Sequence, residues 1–281
     1  MRRPPLQPFE RHFVDVSSPT AQDEIVQRLG EDGLVTVAGL SSRTAVLAFA
    51  SGIMTMVPHR DSESDGLTTI RNAGRLAWRP GFAGFGSGEL APHTERSGIP
   101  APPRLMLLVC ARPAEAGGES LLADGRRVHG ELLHRQRDAV RALSQPRTAY
   151  FGAGDGHAGE VFTVHDDATV SVRLRFDGLA RFSPLVQPYL PHLRSAVARE
   201  QLGLPLLAGQ GYLLDNRRWF HARNGFTGNR VCWRALGEAR CSLPRGFTPE
   251  PVWKKQPDSY SPSRLAVFML RNEFPTLSGR P

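Results

Sequence analysis

A chain of 281 residues, 40% hydrophobic and 22% charged, has the composition of a globular protein and the length to bury a core without staples. Three cysteines without a C-x-x-C pair exclude a disulfide framework and a zinc ribbon. The net charge of +8 raises nucleic acid as a partner, but from Arg217 onward 12 basic residues stand against 4 acidic, while residues 1–216 balance at 23 against 23, and no nucleic-acid motif accompanies the excess.

The chain starts MRRPPLQPFERHF, which is basic but lacks the apolar centre of a secretory signal. No later run is apolar over membrane-spanning length, so the expected location is the cytoplasm, with no membrane partner. SSPTAQDEIVQRLGEDG predicts a helix with Ser18 as its cap, Pro19 in its first turn and Gly30 at its end. GLVTVAGL predicts a strand. SSRTAVLAFASGIM predicts a second helix, with Val46, Phe49, Ala50 and Ile53 on one face. Residues 66–92 are Gly-rich and predict short strands and loops. LAPHTERSGIPAPP follows; if extended, it turns His93 and Glu95 to one side and Thr94 to the other.

RLMLLVCA is a continuous apolar run and predicts a strand buried on both faces. ADGRRVHGELLHRQRDAVRAL predicts a helix capped by Asp124 and weakened by Gly130. Residues 147–177 read as β-structure, and PHLRSAVAREQLG as a helix with Pro191 in its first turn. GQGYLLDNRRWFHARNGFTGNRVCWRALGEA predicts two strands joined as a hairpin by a Gly/Asn turn. Many short strands, with helices at the start and in the middle, give a mainly β fold with flanking helices, a jelly roll, rather than a doubly wound sheet. Residues 1–241 are expected to form one domain. Residues 242–281, basic and Pro/Ser-rich, are expected to be a packed or lid-like extension.

The late segment carries the charges of interest. Alternation puts Arg230, Cys232 and Arg234 on one strand face. Two guanidiniums aimed into a fold are costly unless they meet anions, and their forked donors suit carboxylates. His221 lies just upstream. Two histidines and one carboxylate with open positions beside them match the ligand set of non-haem iron(II) oxygenases.

The order H-x-E (93–95), GGES (117–120), DNRRWFHARNGF (215–226), RVCWR (230–234) resembles the iron(II)/2-oxoglutarate-dependent oxygenases of the taurine dioxygenase and clavaminate synthase-like superfamily. The resemblance runs from about residue 20 to 240. It implies a double-stranded β-helix core with Fe(2+) held by His93, Glu95 and His221. It also implies 2-oxoglutarate and O2 as co-substrates. Ser120, where many members carry Thr, would touch 2-oxoglutarate. Arg234 would hold its distal carboxylate, and Arg230 would lie near the carboxylate at the metal end. Many members have Asp at the position of Glu95; the clavaminate synthase-like branch has Glu. With that carboxylate present, the resemblance points to hydroxylation, desaturation or oxidative cyclisation of a small organic molecule in secondary metabolism, not halogenation. Arg96 and Ser97 would border the substrate. Two other readings compete: a cupin-like metal protein without oxygenase turnover, and a basic nucleic-acid-binding module. The remaining histidines, His59 among them, are read as structural or surface residues.

Overall fold

The computed structural model describes residues 7–74 and 79–250. Its centre is a pair of antiparallel sheets. The larger orders its strands Leu34–Val37, Gly211–Asp215, Leu105–Arg112, Val231–Ala239 and Met54–Met56, with Thr68–Arg71 also paired to Val231–Ala239. The smaller orders Gln201–Leu204, Ser120–Asp124, Trp219–Arg223 and Leu90–His93.

Leu105–Arg112 shows why the sheets stack. Leu105, Leu107 and Val109 point outward into a cluster with Ile25, Leu29, Val46, Ala50 and Ile53, which lie on two covering helices, Ala21–Glu31 and Arg43–Ile53. Met106 points inward, with Leu108 packed alongside, and meets Leu122, Leu204, Tyr212, Leu214, Trp219 and Leu236 between the sheets. Period-2 alternation in an all-apolar strand thus buries both faces. Beyond the smaller sheet, Ala123 and Phe220 pack against three helices, Gly125–Arg135, Arg137–Leu143 and Leu190–Arg199, through Val128, Leu132, Val140, Leu143, Leu193 and Val197. The result is a mainly β, double-stranded β-helix core with helices on both outer sides.

Several expectations need adjustment. The first long helix begins at Ala21 and runs through Gly30; its turn residue is Gly33, at φ +67, where a Cβ would meet the Arg218 side chain at 2.9 Å. The long helix expected after Asp124 breaks in two at Gln136 (φ −150, ψ 65), though Asp124 does cap its start by accepting from the Arg126 N–H. The expected hairpin does not form. Trp219–Arg223 belongs to the smaller sheet and Val231–Ala239 to the larger, so the chain crosses the sandwich between them. A turn signal marks where a strand ends, but not which sheet the next strand joins.

Past Cys241 the described chain stays on the domain: Phe247 is buried and pairs with Val170, and the Pro244 carbonyl accepts from Arg104. The rest of the basic extension, 251–281, lies outside the described residues. No helix among the described residues is long and apolar enough to cross a membrane.

Candidate active site

His93 and His221 are direct cross-strand partners on Leu90–His93 and Trp219–Arg223, with ring centroids 4.0 Å apart. Glu95 lies two residues past His93, just beyond the strand, and is fixed by its backbone. Its N–H donates to the Asn216 side-chain oxygen at 2.7 Å, and the Asn216 amide donates back to the Glu95 carbonyl at 3.0 Å and to the Pro103 carbonyl at 2.9 Å. Thr94, between the two, is buried and bonds the Leu174 backbone in both directions. The alternation read from the sequence therefore holds: Thr94 turns into the core, and one donor atom each from His93, Glu95 and His221 lie within 4.8 Å of one another.

Protonation suits a cation. The His93 Nδ1–H donates to the Ala91 carbonyl at 2.9 Å, which leaves the Nε2 lone pair free. Burial holds both imidazoles below their usual pKa, so they are neutral at pH 7. Burial opposes the Glu95 charge, but the Arg234 guanidinium, donating to Oε2 at 2.7 Å, brings the carboxyl down to about 2. Two neutral imidazoles and one carboxylate, all turned to one point, fit a divalent metal such as iron(II).

These groups open on a cavity of about 730 Å³ whose lining includes Ser120, Tyr212, Arg230 and Arg234. Sequence reasoning set Arg234 at the far end of 2-oxoglutarate and Arg230 at the metal end; it is Arg234, however, that lies beside Glu95. Arg234 pairs with Glu95, and its Nε and Nη2 are buried without a partner among the described residues. Arg230, 6% exposed, has its charge among Tyr212, Cys110, Cys232 and Arg223. Among the described residues it makes no hydrogen bond or ion pair. Roughly 13 Å separates two positions four residues apart on an extended strand.

GGES supplies the wall beside Arg230. Gly117 and Gly118 take φ +71 and +79, and Cβ atoms there would meet the Gly225 carbonyl at 2.2 Å and the Arg230 side chain at 3.0 Å. Only glycine permits that approach. Ser120 then starts its strand, buried, with its hydroxyl toward Tyr212.

Three lining or supporting residues escaped sequence reasoning. His59, read as structural or surface, is on the cavity wall close enough to Arg234 and Glu95 to feel both charges. Asn216, the clamp on Glu95, appeared only within the DNRRWFHARNGF run and was given no role. Arg223 is buried and donates to the carbonyls of Gly84, Gly86 and Gly88, which ties the Gly-rich wall to the strand carrying His221. Arg96 lines the cavity; Ser97 is buried, and its carbonyl accepts from Arg173.

A family model described as "Taurine catabolism dioxygenase TauD, TfdA family" matches residues 3–236. The chain belongs to this family. It is an iron(II)/2-oxoglutarate-dependent dioxygenase, and the family carries the fold and chemistry that its motifs implied. Among solved structures, an asparagine oxygenase aligns with a TM-score of 0.65 at 20% identity, covering 79% of each chain. The asparagine oxygenase solved with Fe(II), 3-hydroxyasparagine and succinate aligns at 0.63 and 18%, over 78% of this chain and 79% of that one. The non-heme iron oxygenase OrfP with Fe and alpha-ketoglutaric acid aligns at 0.63 and 14%, over 79% and 80%. At such identities these likenesses speak for the fold. No curated protein matches by sequence.

Proposed function

We propose that His93, Glu95 and His221 hold the iron(II), that Arg230 and Ser120 hold the distal carboxylate of 2-oxoglutarate, and that the enzyme oxidises a small amino-acid-like molecule. The observation that carries the reading is the pairing of a three-donor cluster with a buried Arg230 that meets no carboxylate among the described residues, in one cavity. A buried guanidinium without an anion is unfavourable, and a carboxylate-bearing co-substrate satisfies it. This reverses the roles expected for the two arginines. Arg234, with two nitrogens to spare beside Glu95, suits the carboxylate at the metal end.

With iron(II), 2-oxoglutarate and O2 bound, such a site couples decarboxylation of 2-oxoglutarate to oxidation of a substrate C–H bond. The chain's own part is positional. Ala91 and Asn216 orient the donors, Arg234 keeps Glu95 ionised, and the wall tied down by Arg223 limits water. Hydroxyasparagine and hydroxyarginine in neighbouring structures favour an amino-acid-sized substrate. Secondary metabolism completes the reading, on the strength of the Glu-type ligand set.

Titrating 2-oxoglutarate into the anaerobic iron(II) protein tests the assignment. Charge-assisted hydrogen bonds contribute about 1.5–3 kcal/mol, so Arg230→Gln should weaken 2-oxoglutarate roughly ten- to a hundredfold. Iron content should stay near that of the wild type, whereas His221→Ala should carry none. Unchanged affinity in Arg230→Gln with a large loss in Arg234→Gln would restore the original assignment of the arginines. Full iron in His221→Ala would remove the ligand set.

A further inference from the structure

The larger sheet also holds two thiols that the proposed reaction does not use. Cys110 on Leu105–Arg112 and Cys232 on Val231–Ala239 are direct cross-strand partners, so their side chains leave the sheet on the same face. The Cys110 N–H donates to the Gln210 carbonyl at 2.8 Å, and the Cys110 carbonyl accepts from the Gly209 N–H at 2.8 Å. Both backbone groups of Cys110 are thus spent on its other neighbour, away from Cys232. That makes the two cysteines a non-hydrogen-bonded pair, in which opposite Cα atoms stand about 4.5 Å apart and the side chains come closest. A disulfide spans Cα atoms about 4.4–6.8 Å apart, so the backbone already suits one. The two thiols are within hydrogen-bonding reach of each other.

Most buried cysteines behave as small hydrophobes and are inert. The surroundings of this pair differ. Cys110 and Cys232 are 2% and 0% exposed, yet Ile70, Phe85 and Leu108, which pack in the same cluster, also line the cavity. A small molecule in the cavity is therefore one layer of side chains from the sulfurs. Guanidinium charge reaches them too, from Arg230 on both thiols and from Arg223 on Cys232. Positive charge favours the thiolate, which is the reactive form. The neighbouring Cys232 thiol, and then Arg230, draw the Cys110 pKa below its ordinary value, while Cys110 and burial push Cys232 up. Cys110 is then the attacking sulfur and Cys232 the resolving one.

We propose that Cys110 and Cys232 are a redox-active pair that hydrogen peroxide closes into a disulfide. The Cys110 thiolate attacks one peroxide oxygen, the O–O bond breaks, and the departing hydroxide takes up the proton the thiol released. Cys110 is left as the sulfenic acid. The Cys232 sulfur attacks it; the S–S bond forms, the S–O bond breaks and a second water leaves. Two thiols and one peroxide give one disulfide and two waters, with the sulfurs losing two electrons and the peroxide gaining them. Cys232 lies between Arg230 and Arg234 in the chain, and both arginines line the cavity. Closure draws the Cβ atoms from about 4.5–5.5 Å to about 3.8 Å and so shifts the strand between the arginines. On the assignment of 2-oxoglutarate to those arginines, the disulfide weakens its binding.

The test uses the full chain with iron withheld, so that peroxide meets no metal. Hydrogen peroxide in modest excess should lower the intact mass by about 2 Da. It should take the thiol count of the denatured chain from three to one and join the peptides that bear Cys110 and Cys232. Dithiothreitol should restore all three thiols. Cys241, half-buried past the far end of the strand and roughly 20 Å away, should stay reduced. Cys241→Ser should close as the wild type does, and Cys110→Ser or Cys232→Ser should not. The wild-type peptide map decides the bond even where a serine variant fails to fold. With peroxide removed and iron(II) added without air, the oxidised protein should bind 2-oxoglutarate at least about threefold more weakly than the same sample reduced by dithiothreitol. Oxygen gained at either thiol without the cross-link, a bond to Cys241, or three thiols surviving the peroxide overturns the pair. A closed disulfide with unchanged 2-oxoglutarate affinity overturns its coupling to the co-substrate. If 2-oxoglutarate fails to bind even the reduced protein, the functional assignment falls, while the mass and the peptide map still decide the disulfide.

Discussion

The turn at Asp215–Arg218 and the cavity beside it both bury arginines, and they do so in opposite ways. At the turn, Arg104 meets Asp215 through two bonds of 2.8 and 2.7 Å, and Arg218 meets Asp124 through two of 2.9 and 2.7 Å. Both side chains are under 10% exposed, and each charge has its partner inside the fold. In the cavity, Arg230 is as deeply buried, and among the described residues its guanidinium meets only the Phe226 ring, 5.9 Å away, and no carboxylate. The turn is electrostatically complete without a ligand, whereas the cavity becomes so only with one. The first arrangement serves geometry, since the same turn carries Asn216 and leads into the strand of His221. On the assignment proposed above, the second serves binding.

The sharpest way to break this comparison is to unpair the turn. Arg218→Met leaves Asp124 buried beside a thioether, and removing one partner of a buried pair costs about 3–5 kcal/mol. At roughly 2–4 °C per kcal/mol for a domain of this size, the melting temperature should fall by about 6–20 °C. A fall of only a degree or two in a thermal melt would mean that the pair contributes little and that the turn is held by its backbone.

Acid should act on a second kind of buried group. His129 packs edge-on against Phe162 and Phe247, and burial lowers its pKa to about 4 from 6.5. Its folded pKa is depressed, so the native state favours the neutral ring. The stability this represents is present above pH 6.5 and is lost as pH falls toward 4, on the order of 3 kcal/mol in all. His129→Leu should flatten that acid limb in denaturant titrations of the metal-free protein at pH 7, 6, 5 and 4. An unchanged slope would transfer the effect to the other buried histidines, His12, His93 and His221, whose pKa values are also lowered.

How much of this was legible beforehand follows from what each residue depends on. Leu105–Arg112 was readable because an apolar run between prolines determines its own burial on both faces. The Arg230/Arg234 face was readable from alternation, and His93, Glu95, GGES and His221 from their order along the chain. Which arginine meets Glu95 was not, because that depends on Glu95 arriving from a distant segment and on a register shift at Val231/Cys232. The supposed hairpin failed for the same reason: strands adjacent in sequence went to opposite sheets. Asn216 and His59 carry no local pattern at all. Each gains its role only from segments more than 30 residues away, such as the loop after His93.

Arg230 supplies the next test, with a small expected effect on stability. Because no carboxylate of the described chain answers it, Arg230→Met removes a desolvated charge and orphans nothing. The variant should melt within a few degrees of wild type, or above it, while losing 2-oxoglutarate. A drop as large as that of Arg218→Met would show that Arg230 is a structural residue like those at the turn, and the contrast between the two regions would collapse.

The smallest effect should come from an ion pair that belongs to neither region. Arg199 donates to Glu131 at 2.7 Å between the Leu190–Arg199 and Gly125–Arg135 helices, with its side chain 53% exposed. Its Nε and Nη2 both meet one oxygen of Glu131, whereas Arg218 grips both oxygens of Asp124; the larger difference is water. Solvent screens the attraction and rehydrates whichever charge is left behind, so exposed pairs typically contribute about 0–1 kcal/mol. Arg199→Ala should therefore shift the melt by a few degrees at most, and 0.5 M salt should erase much of that shift in a parallel wild-type melt. If Arg199→Ala cost as much as Arg218→Met, burial would not be setting the worth of these pairs. The burial of Arg230 without a carboxylate would then lose its meaning as a sign of a missing anion.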